Sequence, residues 1–179
     1  MADEVKTPEE PKLVKLDIAC GQNKAEGFIG MDQAALPGVD IVRDIETYPW
    51  PFEDNSVDEV VCRHYVEHTK DLMAFMNELH RVMKPGAKAT IIAPYYSSVR
   101  AWQDPTHVRA ISEMTFMYFN KEWRNVNGLN HYPINTDFDF VYGYNWDPMW
   151  AKRNEEARNF AAKHYINVIL DILLTLTKR

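Results

Sequence analysis

Carboxylates recur at the tips of short apolar runs in the N-terminal part of this chain. Asp17 lies in Leu13-Val-Lys-Leu-Asp-Ile18, just before the small-residue turn Ala19-Cys-Gly21. Asp32 closes Phe28-Ile-Gly-Met-Asp32, and Asp44 follows Asp40-Ile-Val-Arg43. A strand that runs into small residues lets backbone N–H groups approach a ligand. A carboxylate at the tip of the next strand offers the paired acceptors that two ribose hydroxyls need. The chemistry indicated is recognition of a nucleotide-shaped cofactor. Taken singly, the turn is equally an ordinary tight connection, and Asp32 and Asp44 are equally strand-end turn formers. Further on, Asp104-Pro-Thr-His-Val-Arg109 gathers a carboxylate, an imidazole and a guanidinium. His107 suits proton removal near neutral pH, and Arg109 suits a substrate carboxylate or phosphate. A histidine that only ties its loop to Asp104 is the plain alternative.

Two other patterns compete. His64-Tyr-Val-Glu-His68 has the H-x-x-E-H spacing of inverted zinc peptidases, whose chemistry needs both histidines on one helical face. Here His64 ends an apolar strand and the next helix starts only after Thr69, so no metal site is expected. Arg100 and Arg109 with Tyr95, Tyr96 and Trp102 suit either base stacking or the wall of a small-molecule pocket.

The elements that must position these groups follow from periodicity. Strands are expected over Leu13–Ile18, Phe28–Asp32, Asp40–Ile45 and Val57–His64, with a nearly all-apolar fifth over Ala87–Tyr95. The gaps between the first three are shorter than the dozen or so residues a parallel crossover normally takes, so either these strands are parallel with crossover helices shrunk to a turn or two, or the strand assignment fails here. Leu72, Phe75, Met76, Leu79, Val82 and Met83 predict an amphipathic helix over 70–84, capped by Thr69 and stopped by Pro85-Gly86. A short helix capped by Ser112 follows, then a strand over Asp137–Trp146. A helix over Trp150–Tyr165 has Ala157, Phe160, Ala161 and Tyr165 inward. A last strand covers Val168–Thr177, where period 2 and the threonines favour strand over helix. Alternating strands and helices ending in paired strands predict an α/β three-layer sandwich. Its sheet is mostly parallel with an antiparallel edge strand.

The chain's 179 residues and 46% hydrophobic content fit a single domain over 13–179, preceded by a disordered charged tail over 1–12. A net charge of −6 argues against a nucleic-acid grip and leaves a small-molecule partner as the better expectation. Two cysteines, no signal peptide and no long apolar span predict a reduced, cytoplasmic protein without membrane contact.

Together, Leu16-Asp-Ile-Ala-Cys-Gly21, Asp32, Asp44, Trp50-Pro-Phe-Glu-Asp-Asn-Ser-Val-Asp58, Glu67-His68 and Arg81-Val-Met-Lys-Pro-Gly86 resemble class I S-adenosylmethionine-dependent methyltransferases, most closely the small type 11 group. The resemblance covers about Leu13 to Pro94. It departs at Ala19, where the family usually has its first glycine, and at Asn23, where it often has another. It implies a compact Rossmann-like methyltransferase fold that takes S-adenosylmethionine as cofactor. Asp17 would face the cofactor's amino group, and Ala19, Cys20 and Gly21 would present backbone to its methionine and ribose. Asp32 would accept both ribose hydroxyls. Asp44 would accept from the adenine amino group beside Ile45, and Arg63 and His64 would lie beside the sulfonium. In this fold the loop after the fifth strand contacts substrate, which makes His107 the expected general base and Tyr95, Tyr96 and Arg109 substrate contacts. Methyl transfer to a nucleophilic atom of a small molecule is the implied activity. A cofactor-binding partner or sensor module without catalysis is the alternative, motivated by Ala19 and the short crossovers.

Overall fold

The computed structural model describes residues 13–179; the tail expected over 1–12 lies outside the described residues. The short apolar runs form β1 (Lys15–Ile18), β2 (Ile29–Asp32), β3 (Ile41–Val42) and β4 (Val57–Arg63). Helix α1 (Leu72–Val82) leads into β5 (Met83–Pro94), and β6 (Phe138–Trp146) and β7 (Ile169–Lys178) follow later in the chain. One seven-stranded sheet results, in the order β3-β2-β1-β4-β5-β7-β6. The first five strands are parallel, and β7 is antiparallel to both of its neighbours. The reversed strand therefore sits one place in from the edge, with its backbone paired on both sides.

Among the described residues no helix lies between β1 and β4; turns make all three connections. Side chains keep those turns tight. Asp40 Oδ2 accepts from Gly30 N at 2.7 Å and from Lys24 Nζ at 2.8 Å, which draws the loop after β2 against the loop after β1. A Cβ on Gly30 would lie 2.6 Å from Lys24 Cδ and 2.8 Å from Cys20 Sγ, so a larger residue there would have to displace those two side chains.

Burial alternates along β5: Ala87, Ala89, Ile91 and Ala93 are buried, while Lys88, Thr90 and Ile92 are not. The buried row joins Leu16, Ile18, Val60, Cys62, Leu174 and Leu176 and the apolar stripe of α1 in one core. On the other face, in-register Lys15, Glu59 and Lys88 form a charged row, with Lys15 and Glu59 paired at 2.7 Å.

Several boundaries differ from the sequence expectation. Asp71, not Thr69, caps α1, accepting from Ala74 N at 2.9 Å, because the Thr69 hydroxyl donates to Glu46 instead. The fifth strand starts at Met83 rather than Ala87, and a bulge in its pairing with β4 absorbs Pro85-Gly86. The single helix expected over 150–165 is two: α5 (Pro148–Ala151) and α6 (Glu155–His164), capped separately by Asp147 and Asn154. Of the α6 residues expected inward only Ala161 is buried. Phe160 and Tyr165 are 57% and 54% exposed, packing on each other rather than on the sheet. Ser112 opens α3 (Glu113–Met117) as expected, while α2 (Arg100–Gln103) and α4 (Lys121–Val126) occupy stretches without helical periodicity. Among the described residues no helix is long and apolar enough to cross a membrane.

Candidate active site

The parallel strands all present their C-terminal tips at one end of the sheet, and the acids cluster there. Ala19 and Gly21 both turn through the left-handed region at φ 53°. Gly21 N donates to Asp32 Oδ2 at 2.8 Å and Ala34 N to Oδ1 at 2.9 Å, so Asp32 ties the β1 turn to the loop after β2. Each of its oxygens keeps a further lone pair. Asp17 is fully buried. Its Oδ2 accepts from Ala25 N at 2.7 Å and from Arg63 Nη2 at 2.6 Å, while Oδ1 has no partner. Burial pushes the Asp17 carboxyl above the usual range, opposed by the Ala25 amide and the Arg63 guanidinium. Arg63 also donates to Asn23 O at 2.7 Å, so it is engaged in holding the turn.

Two cavities open beyond these tips. One, of about 490 Å³, has Asp44, Tyr65, His68, Lys70 and Thr106 in its wall. The other, of about 260 Å³, is lined by His64, Glu67, His68, Arg100, Asp104 and His107. His68 belongs to both. Asp44 Oδ1 accepts from Glu46 N at 2.9 Å, which sets the loop after β3. Ile45 and Cys20 pack rather than line: they are 2% and 5% exposed, and Ile45 O takes the Trp50 indole N–H. Burial, reinforced by Asp17 and Asp32, pushes the Cys20 thiol up, so it is a poor nucleophile.

The loop over 104–109 folds onto the segment after β4. Val108 N donates to Glu67 O at 2.9 Å. Thr106 donates both its amide, at 2.8 Å, and its hydroxyl, at 2.7 Å, to Asp104 Oδ1. Those bonds hold the Asp104 carboxyl below its usual range. The hydroxyl proton being so engaged, Thr106 Oγ1 accepts from His68 Nδ1 at 2.9 Å. The Ala101 carbonyl accepts from His107 Nδ1 at 3.1 Å. Both rings therefore donate through Nδ1, and they meet edge to face with centroids 4.6 Å apart. Glu67 is 1% exposed and neither of its carboxylate oxygens has a hydrogen-bond partner. His64 Nδ1 and His107 Nε2 are 3.6 and 4.0 Å from Glu67 Oε1, and the adjacent carboxylate pushes His64 up.

Glu67 and His68 are not among the residues to which the sequence analysis gives a catalytic or binding role. The H-x-x-E-H spacing was the signal for both, but the pairing with His107 is a tertiary contact. The three expected substrate contacts line neither cavity. Tyr95 is buried and donates its hydroxyl to Glu113 Oε2 at 3.1 Å, Tyr96 is 44% exposed, and Arg109 donates to Lys70 O at 3.0 Å.

Other motif residues act as clamps. Arg81 pairs with Glu78 at 2.6 Å and donates to Phe52 O and Asp54 Oδ1, which fixes the 50–54 loop to α1. Asp58 accepts from Val14 N at 2.9 Å and Lys84 Nζ at 2.6 Å, tying together the segments that start β1, β4 and β5.

A methyltransferase domain family matches residues 19–91. Among curated proteins the chain is similar to a 2-phytyl-1,4-naphtoquinone methyltransferase of Nostoc punctiforme, 41% identical over 56 residues that cover 30% of this chain and 24% of that protein. A S-adenosylmethionine-dependent methyltransferase structure from Archaeoglobus fulgidus matches with TM-score 0.64 and 20% identity, covering 93% of this chain and 86% of that one. A Haemonchus contortus phosphoethanolamine N-methyltransferase 2, solved with S-adenosyl-L-methionine, matches with TM-score 0.51 and 15% identity over 96% of this chain and 50% of that one. At these identities the structural likeness speaks to the fold.

Proposed function

We propose, from the premise that this chain carries a class I S-adenosylmethionine-dependent methyltransferase domain, that it moves a methyl group from S-adenosylmethionine to a nucleophilic atom of a small molecule. The observation that carries this reading is the continuity of the tip region. Acids stand at the ends of β1, β2 and β3; Asp44 lines the larger cavity, and that cavity meets the smaller one at His68.

The residues present fit the cofactor. A buried carboxylate oxygen without a partner costs free energy unless a donor reaches it, and Asp17 Oδ1 is such an acceptor for an ammonium group. Asp32 has lone pairs left for the ribose hydroxyls, and Asp44 presents a carboxylate to the larger cavity for the adenine amino group. When bound, S-adenosylmethionine supplies a methyl group made electrophilic by its sulfonium.

The remaining work belongs to the protein. The smaller cavity, about 260 Å³, is large enough for a small acceptor group. His107, its Nδ1 proton fixed on Ala101 O, offers Nε2 to take the proton that an acceptor hydroxyl, thiol or amine must lose. Holding the acceptor in line supplies much of the rate. Calorimetric titration with S-adenosylmethionine is the first test, and no measurable binding overturns the reading. The second reading, a binding module without catalysis, is favoured by Ala19 at φ 53° in the turn. Cofactor binding with no S-adenosylhomocysteine formed across a panel of small nucleophiles would select it.

A further inference from the structure

We propose that Glu67, His68 and His107 form a binding site for one divalent first-row transition ion, of which zinc is the representative. One ligand atom from each lies within 4.8 Å of the other two. Three independent features point to a cation. Glu67 is 1% exposed with both carboxylate oxygens unpartnered, an arrangement that is costly unless positive charge neutralises it. Each imidazole is held through its Nδ1, His107 by the Ala101 carbonyl and His68 by Thr106, itself anchored on Asp104. That outer support presents two Nε2 lone pairs, as metal-ligating histidines require. Finally, all three residues line the smaller cavity, so a fourth coordination position faces open space.

Two imidazoles and one carboxylate with an open position suit zinc or ferrous iron rather than magnesium or calcium, which prefer oxygen ligands. His64 and His68 of the H-x-x-E-H pattern share no helix. In the structure α1 begins only at Leu72, and the loop over 104–109 places His107 beside Glu67 and His68. His64 stays outside the set: its Nδ1 is 3.6 Å from Glu67, too long for a hydrogen bond, and its side chain is half exposed.

The consequence for catalysis rests on the methyl-transfer reading. In the loaded protein the His107 Nε2 pair is committed to the ion, and activation of the acceptor passes to the open position. An acceptor hydroxyl or thiol bound there loses its proton to solvent while the electron pair stays on the coordinated atom. The acceptor class this favours carries an ionisable O–H or S–H.

The test uses full-length protein stripped with chelator and titrated with zinc chloride by calorimetry, without cofactor, and with cobalt(II) followed by visible absorption. One equivalent of zinc should bind, and Glu67→Gln and His107→Asn should each weaken it at least about tenfold. Circular dichroism and melting temperature confirm that both variants are folded, and His64→Ala should bind as the parent does. No zinc or cobalt uptake by the parent, parent-like affinity in both ligand variants, or loss of binding in His64→Ala overturns the assignment. A separate titration with S-adenosylmethionine distinguishes the two proposals. Zinc binding without cofactor binding overturns methyl transfer and leaves the metal site standing.

Discussion

Asp32 and Ala19 show how much of the site turns on single atoms. Asp32 already accepts two backbone amides, so its value to a ribose lies in the remaining lone pairs. Asp32→Ala should weaken S-adenosylmethionine binding by about 1–3 kcal/mol in calorimetry, and unchanged affinity would refute the ribose assignment. Ala19 occupies a left-handed conformation that costs an L-residue roughly 1–2 kcal/mol. Ala19→Gly relieves that strain but adds freedom to the unfolded chain. A net gain of up to about 1 kcal/mol should appear as a higher urea midpoint. His107→Ala should lower turnover by about a hundredfold or more while leaving cofactor affinity within a few-fold. A loss of folding instead would show that its bond to Ala101 O is its main role.

At the scale of elements, α1 packs its apolar stripe into the core, and both of its ends are satisfied by hydrogen bonds. Asp71 caps the start. At the other end Asn55 N and Ser56 N donate to Arg81 O and Val82 O, and the buried Lys178 ammonium of β7 donates to His80 O and Met83 O. The orphan carbonyls of a helix C-terminus thus find partners from two different segments. Arg81 adds the side-chain clamp to the 50–54 loop. Arg81→Met leaves Glu78 buried without its cation, so the denaturant midpoint should fall by the equivalent of about 2–3 kcal/mol. A change under about 0.5 kcal/mol would mean that the clamp is incidental.

Across the whole molecule, the packing of α1 against the β6–β7 pair carries a pH dependence. His80 lies edge-on to Phe138 at 5.1 Å, and its Nε2 is buried without a partner. Burial, with the nearby Lys178 cation, lowers its pKa to about 4. An unfolded chain takes up this proton near pH 6.5, well before the folded one does. The His80 contribution is therefore intact above about pH 6.5 and is lost progressively as pH falls towards 4. Denaturant titrations over that range should show a decline of about 1–3 kcal/mol from this residue. His80→Gln should flatten the curve there, and an unaltered slope would place the sensitivity elsewhere.

Sequence alone determined the strand–turn–acid series, the α1 stripe, and the shortness of the first crossovers. These follow from local periodicity and from gaps too short to hold a helix. It also marked Asp17, Asp32, Asp44 and His107 as chemical candidates, because strand tips and a polar loop after β5 expose such groups. It could not tell ligand from clamp. Whether Arg63 reaches a cofactor or holds Asp17 depends on a contact across 46 residues, which no local pattern encodes. Nor could it separate one C-terminal helix from two, because independent caps at Asp147 and Asn154 divide a continuous apolar period. The meeting of Glu67 and His68 with His107 was likewise decided by tertiary structure. A backbone bond from Val108 to Glu67 folds one loop onto another, and two histidines from separate segments reach the same buried carboxylate.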